Sequence, residues 1–235
     1  MPAKTAIPDT PGISTCADNM LIVDYKGHPD PSSSVQQLYH YLIEHKPAYI
    51  QEIIAGIHTL AVILPARSCN REGRSRGIDY LYMAISRSRL TVPARNRTVH
   101  LPICYARELA PDLDFIARHA QLETEEIILL HWQNTYQAQL LGFMPGFAYL
   151  KGLDLRLHTP RLEKPRQRVP KGSVAIAGEQ CAVYPNSTPG GWNLIGATPL
   201  ELFDPTRTRK NLIGLGDTII FEKISKPQFE RLCKK

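Results

Sequence analysis

The chain has 235 residues, 43% of them hydrophobic and 21% charged, with a formal net charge of +6. This is ordinary globular composition, with length for one large domain or two small ones. No apolar run approaches the roughly 20 residues of a membrane span. The opening MPAKTAIPDTPG lacks the hydrophobic stretch of a signal peptide, so a cytoplasmic protein is expected.

Residues 1–19 carry proline and glycine without periodicity and read as a loose arm. Residues 20–25 read as a strand. One of Ser32, Ser33 or Ser34 caps a helix with Val35, Leu38 and Leu42 at helical spacing, which Pro47 ends. Two strand-like runs follow, at 49–54 and 58–64, and the polar SCNREGRSRG reads as a loop. Ile78, Leu81 and Ile85 then mark a second helical face. This order predicts a small α+β domain over residues 1–92.

Beyond Pro93 the pattern changes. Residues 98–105 read as a strand, and 112–119 and 123–132 as two short helices. Glu123, Glu125 and Glu126 crowd the first turn of the second helix, where the macrodipole favours negative charge. From Thr135 the chain reads as short strands separated by proline and glycine: TYQAQLL, SVAIA, CAVY, WNLIG and TIIFEKI. Such dense turns predict a β-barrel or sandwich over residues 93–235.

Five spread cysteines without a C-x-x-C pair read as free thiols, and no bound metal is expected. The phosphate-binding G-x-x-x-x-G-K-[ST] and a strand–G-x-G-x-x-G–helix unit are both missing. PKGSVAIAG has its lysine and glycine in the wrong order for such a loop. The charge of +6, with Arg71, Arg74 and Arg76, lacks interleaved aromatics, so nucleic-acid binding is not expected.

The chemistry-bearing residues concentrate between Gly142 and Pro205. In LLGFMPGFAYL, Gly142, Pro145 and Gly146 break both helix and central strand. Phe143 is expected in the core, and Phe147 and Tyr149 in a pocket wall. In YPNSTPGGWNLIG the Gly190-Gly191 pair offers positive φ and close backbone approach. It either aims N–H groups at an anion or forms a tight turn plugged by Trp192. Arg166 and Arg168 stand two apart and project from one face of an extended segment. They either share an anionic partner or form a solvated basic edge.

GFMPGFAYLKGLD, TPRLEKPRQRVPKGSVAIAGEQCAVYP, STPGGWNLIGATPLELFDP and GDTIIFEKI, with ICYARELAPDLDFIARHAQL and EEIILLHWQNTYQAQLLGF before them, resemble one family. It holds allophanate hydrolase subunit 1, the Kip-type kinase inhibitor and the 5-oxoprolinase B subunit. The resemblance runs from about Val99 to the C-terminus and is weaker before it. Three places depart from the family pattern: Ala106-Arg107 and Cys181-Ala182, where Gly-Gly and Thr-Gly are common, and Lys151 in place of a glycine.

The resemblance implies an α+β N-terminal domain followed by a mostly-β cyclophilin-like barrel. It implies a hydrolase subunit of a heteromeric complex, active only with partner subunits A and C, opening the lactam 5-oxo-L-proline to L-glutamate with hydrolysis of ATP. An allophanate hydrolase-type subunit and an inhibitor of a histidine kinase are the alternatives it leaves. On this basis the expected catalytic residues are His131, Gln180, Arg166 and Arg168. Gln180 offers an amide that both donates and accepts, and His131 a polar wall. The expected substrate-binding residues are Phe147, Tyr149, Tyr184, Ser187, Gly190, Gly191 and Trp192.

Overall fold

The computed structural model describes residues 10–68, 70–90 and 96–234. Residues 92–95 of the linker expected over 92–98, the first nine residues, Cys69, Thr91 and Lys235 lie outside that range. The chain divides into two compact units, meeting in sequence at Arg95 and Asn96.

In the first unit, β1 (Gly12–Cys16), β2 (Met20–Asp24), β3 (Glu52–Ala55) and β4 (Thr59–Ile63) form an antiparallel sheet in the order β1-β2-β4-β3. Alternation buries Leu21 and Val23 on β2 and Leu60 and Val62 on β4. Helix α1 (Pro31–His45) buries Val35, Leu38 and Leu42, and α2 (Arg71–Ser88) buries Leu81, Ala84 and Ile85.

Three expectations are corrected here. Residues 12–16, read as part of a loose arm, pair with β2 along its whole length. The cap of α1 is Asp30, whose carboxylate accepts from Ser33 N at 3.1 Å. Pro31, with its φ already preset, opens the helix there, and Ser32 is buried inside it. Most of SCNREGRSRG is the first turns of α2, capped by Asn70 accepting from Gly73 N at 2.7 Å. Those turns bury only Gly77 before Leu81, so no apolar period announces them. Arg76 of this helix lies over the Tyr49 ring at 4.2 Å.

The second unit contains β5 (Thr98–Ile103), α3 (Leu113–Ala120), α4 (Thr124–Trp132), β6 (Thr135–Leu141), β7 (Ala148–Lys151) and β8 (Arg166–Val169). It continues with β9 (Ser173–Ala177), β10 (Gln180–Val183), β11 (Thr188–Gly190), β12 (Asn193–Ala197), β13 (Thr218–Lys223) and α5 (Lys226–Cys233). Seven strands form one sheet in the order β12-β9-β10-β7-β6-β13-β5, and β11 and β8 form a separate pair. Its two ends are tied together. Cys104 N donates to Ala197 O at 2.9 Å and Ala197 N to Cys104 O at 3.0 Å, so the sheet is nearly closed and barrel-like.

One face of these strands packs with α3 and α4 into the main core, with Leu101, Ile103, Ile116, Ile127, Tyr136, Leu150, Ile176, Val183 and Phe221 fully or almost fully buried. The helix α5 was not anticipated. Its signal is Ser225-Lys226-Pro227-Gln228, a capping box with proline in the first turn.

The closure has no room for a larger residue. A Cβ on Gly196 would meet Cys104 O at 2.8 Å and Ile103 at 3.1 Å. Gly196→Ala is expected to cost roughly 1–3 kcal/mol through this backbone displacement. A urea titration checks it, and an unchanged midpoint contradicts the tight closure.

Candidate functional site

The strand faces opposite the main core carry a second cluster. On β10, Cys181 and Val183 point into the main core, while Ala182 and, one residue past the strand, Tyr184 belong to the opposite face. By the same alternation Gln180, half-buried, lies on that second face. Ala175 and Ala177 of β9 and Leu194 of β12 lie there too, with Tyr149 of β7 opposite Ala182 in the register.

Phe147 is the hub of this cluster. Its ring centroid lies 4.9 Å from Tyr149, 5.4 Å from Tyr184 and 6.1 Å from Trp192, and Tyr149 lies 5.8 Å from Trp192, all edge-on. Such edge-to-face pairs contribute about 0.5–1.5 kcal/mol each beyond area burial. The turn that delivers Phe147 closes with Met144 N on Gly142 O at 2.8 Å and Phe147 N on Met144 O at 3.0 Å.

Positive φ falls on Phe143 and Gly146. A Cβ at 146 would lie 2.6 Å from the Phe203 side chain, so glycine is needed there for both space and conformation. The expected burial is inverted. Phe143, expected in the core, is 60% exposed at the tip of the turn, while Phe147 is buried beneath it. A left-handed residue between two strands turns its side chain outward.

Arg166 and Arg168 do not share a partner. Arg166 Nη2 reaches Asp112 Oδ1 at 2.6 Å, and Asp112 Oδ2 accepts from Leu194 N at 2.6 Å. Arg168 Nε donates to Ser187 Oγ at 3.1 Å on the exposed rim. The glycine pair is also corrected. Neither Gly190 nor Gly191 has positive φ, because β11 runs extended against β8 with Gly190 opposite Arg166. What Gly190 supplies is close approach, since a Cβ there would lie 2.5 Å from the Tyr184 hydroxyl. Nor is the PKGS turn a phosphate cradle. Gly172 N donates to Tyr184 O at 2.8 Å, Ser173 N to Pro170 O at 3.3 Å, and Lys171 Nζ pairs with Glu201 at 2.7 Å.

A family model described as carboxyltransferase domain, subdomain C and D, matches residues 11–213. The chain belongs to this family. It is 39% identical over 190 residues to the 5-oxoprolinase B subunit of Escherichia coli O157:H7, covering 78% of this chain and 81% of that protein. It is 47% identical over 133 residues to the 5-oxoprolinase B subunit of Bacillus subtilis (strain 168), covering 57% of this chain and 55% of that relative's length.

Among solved structures, the conserved uncharacterized protein PH0987 from Pyrococcus horikoshii is 32% identical, with 93% of this chain and all of that one covered and a TM-score of 0.55. The crystallised TTHA0988 is 28% identical at a TM-score of 0.74, with 87% of this chain and 40% of that one covered. The urea amidolyase of Kluyveromyces lactis, at 18% identity and a TM-score of 0.71, shares the fold.

Within this carboxyltransferase-type chain, His131 does not stand at the second face. It is fully buried in the last turn of α4, one residue before its end, against Phe221 and Tyr136. Its Nδ1 lies 2.7 Å from Tyr105 Oη and its Nε2 3.3 Å from Cys181 Sγ. A neutral imidazole has one donor and one acceptor, so one of these neighbours donates and the other accepts. Burial pushes the imidazole down to about 3 and raises both the Tyr105 phenol and the Cys181 thiol.

All three groups are therefore uncharged near neutral pH. The departure at Cys181 thus falls on a core contact, while Ala182 adds its methyl to the aromatic face. A cavity of about 530 Å³ opens on the other side of Tyr105, lined also by Arg107, Asp114, Thr124 and Glu125.

Asp112, Arg161 and Asn193 were missed by sequence reasoning. Asp112 reads as a helix cap but makes no capping bond, Arg161 is one of many surface cations, and Asn193 Nδ2 holds Pro160 O at 2.8 Å from inside the fold. Among the described residues, no cluster of three His, Cys, Asp or Glu could hold a metal ion. In the same range no helix is long and apolar enough to cross a membrane. The thiols of Cys16, Cys104, Cys181 and Cys233 are free.

The His131 environment has a pH consequence. The unfolded chain takes up a proton near pH 6.5, while the folded chain resists it down to about pH 3. Stability from this residue is therefore complete above pH 6.5 and falls with pH, at up to about 1.4 kcal/mol per unit. Urea unfolding from pH 7 to 4 is expected to show a steeper loss in wild type than in His131→Gln. Equal slopes contradict the buried, neutral imidazole.

Proposed function

We propose that this chain is a B-type subunit of an ATP-dependent 5-oxoprolinase, opening 5-oxo-L-proline to L-glutamate in the cytoplasm with subunits A and C. The observation that carries the reading is the 39–47% identity to B subunits of 5-oxoprolinase. The second strand face suits the chemistry. A small lactam ring packs against Tyr149 and Trp192, while the Gln180 amide both donates to the lactam oxygen and accepts from its N–H. Arg168 and Ser187 stand at the rim.

The donors of the PKGS turn are occupied, so these residues do not fit the phosphates of ATP, and its binding is assigned to the partner subunits. The histidine-kinase-inhibitor reading is favoured by one feature, the exposed Phe143, which has the form of an interface anchor.

The reading is tested by reconstitution. ATP-dependent glutamate release is measured with A, C and this chain together and with each omitted in turn. Full activity is expected only with all three. Turnover by this chain alone, or an intact rate without it, overturns the assignment.

We further propose that residues 1–92 and 93–235 are separately folding domains, the second a cyclophilin-like barrel. The support is the division of the chain near residue 95, together with the pinning of Arg97. Its Nη2 reaches Leu212 O at 2.8 Å and Asp217 at 3.2 Å, which ties the start of the second unit to its own loops. Limited trypsin digestion is expected to leave a stable fragment that begins near Arg97. First cleavage within residues 140–205 overturns the boundary.

A further inference from the structure

The second face carries two cationic groups that the fold leaves incompletely used. Arg166 commits Nη2 to Asp112, while its Nη1 is buried without a hydrogen-bond partner. Its side chain as a whole is 28% exposed, while Nη1 itself is covered, so Arg166 places its charge just beneath the surface of the face. Leaving a buried donor unpaired is costly, and such groups are rare in folded proteins.

Arg161 lies over the Trp192 ring, its Cζ 5.8 Å from the centroid. Among the described residues no ion pair or hydrogen bond holds its guanidinium. The chain pins both residues around Gly190-Gly191. Leu162 N donates to Gly191 O at 2.8 Å, Pro165 packs against Gly191, and Arg166 stands opposite Gly190 in the β8–β11 pair. The bare Cα of Gly190 leaves room for the Tyr184 hydroxyl beside them. Burial raises the Tyr184 phenol, and Arg161, a backbone hydrogen bond at Trp192 and, more weakly, Arg166 pull it back down. The phenol therefore keeps its proton as a donor.

We propose that Arg161 and the Tyr184 hydroxyl, with the Arg166 charge close behind them, form a carboxylate-binding subsite at the edge of the aromatic face. A planar carboxylate matches the fork of a guanidinium. An apolar floor of Trp192 and Tyr149 beside it suits a small ring bearing that carboxylate. Naming 5-oxo-L-proline as the occupant rests on the function proposed above, whereas the subsite itself does not. It makes Arg161 a specificity-determining residue, holding the substrate by the group that distinguishes 5-oxoproline from a bare lactam.

The test uses the full chain and the indole N–H of Trp192 in proton–nitrogen NMR, with Trp132 as an internal control. The probes are 5-oxo-L-proline, acetate, inorganic phosphate and 2-pyrrolidinone, which has the same ring without the carboxylate. Both carboxylates are expected to shift the Trp192 signal saturably, and 2-pyrrolidinone to bind at least roughly tenfold more weakly than 5-oxo-L-proline.

Arg161→Ala is expected to weaken both carboxylates by roughly tenfold or more, Arg161→Lys by less, and Tyr184→Phe by a few-fold, each with the Trp132 signal in place. No carboxylate response in wild type, an undiminished response in Arg161→Ala, equal binding of 2-pyrrolidinone, or tighter binding of phosphate than of acetate each overturns the subsite. Acetate binding that depends on Arg161, without binding of 5-oxo-L-proline, keeps the subsite and overturns the lactam reading.

Discussion

The arrangement of the second unit depends on one buried carboxylate. Asp112 lies at the start of α3, yet it caps nothing there. One oxygen accepts from the backbone of Leu194 on β12 and the other from Arg166 on β8, both at 2.6 Å. A single side chain thus ties the helical layer to the sheet and to the two-stranded flap outside it. Removing one member of such a pair strands the other charge, which typically costs about 3–5 kcal/mol when the pair is buried. The partly exposed Arg166 places the cost here towards the lower end. The flap carries Arg166, Arg168 and Gly190, so their position relative to the aromatic face is set by a residue 54 positions away from Arg166 in sequence.

The strands separate two environments by their period of two. Towards the main core, Tyr105, His131 and Cys181 form a chain of polar groups that burial keeps uncharged. They back β10 without carrying charge. Towards the other side, β10 presents Gln180 and Ala182, with Tyr184 one residue beyond, and Arg161 is exposed over Trp192. One strand is thus backed by a buried polar network while its front faces the aromatic cluster.

The aromatic loop gains its role from the same logic. Phe147 is buried among the rings of Phe143, Tyr149, Tyr184 and Trp192, and Phe143 is turned out by a left-handed backbone. Gly146 is the residue that permits the turn, since its missing Cβ is the space that Phe203 occupies. A loop fixed by packing at its base and exposed at its tip presents a rigid aromatic surface.

Much of this was legible in the sequence because it is local. The short strand-like runs between prolines and glycines and the helical spacing of Val35, Leu38 and Leu42 were sufficient to place strands and helices. Phe147, Tyr149, Tyr184 and Trp192 were expected together and do converge. What local pattern does not carry is the partner of a charge or the depth of a side chain. Arg166 and Arg168 share a strand face, yet Asp112 claims one and Ser187 the other. His131 and Phe143 exchange the surroundings expected of them, because burial depends on which strands close against which, and that closure is decided across the whole sheet at Cys104 and Ala197. Type and period set the elements, while pairing between distant segments alone determines which polar atoms are satisfied and which, as on Arg166, are left over.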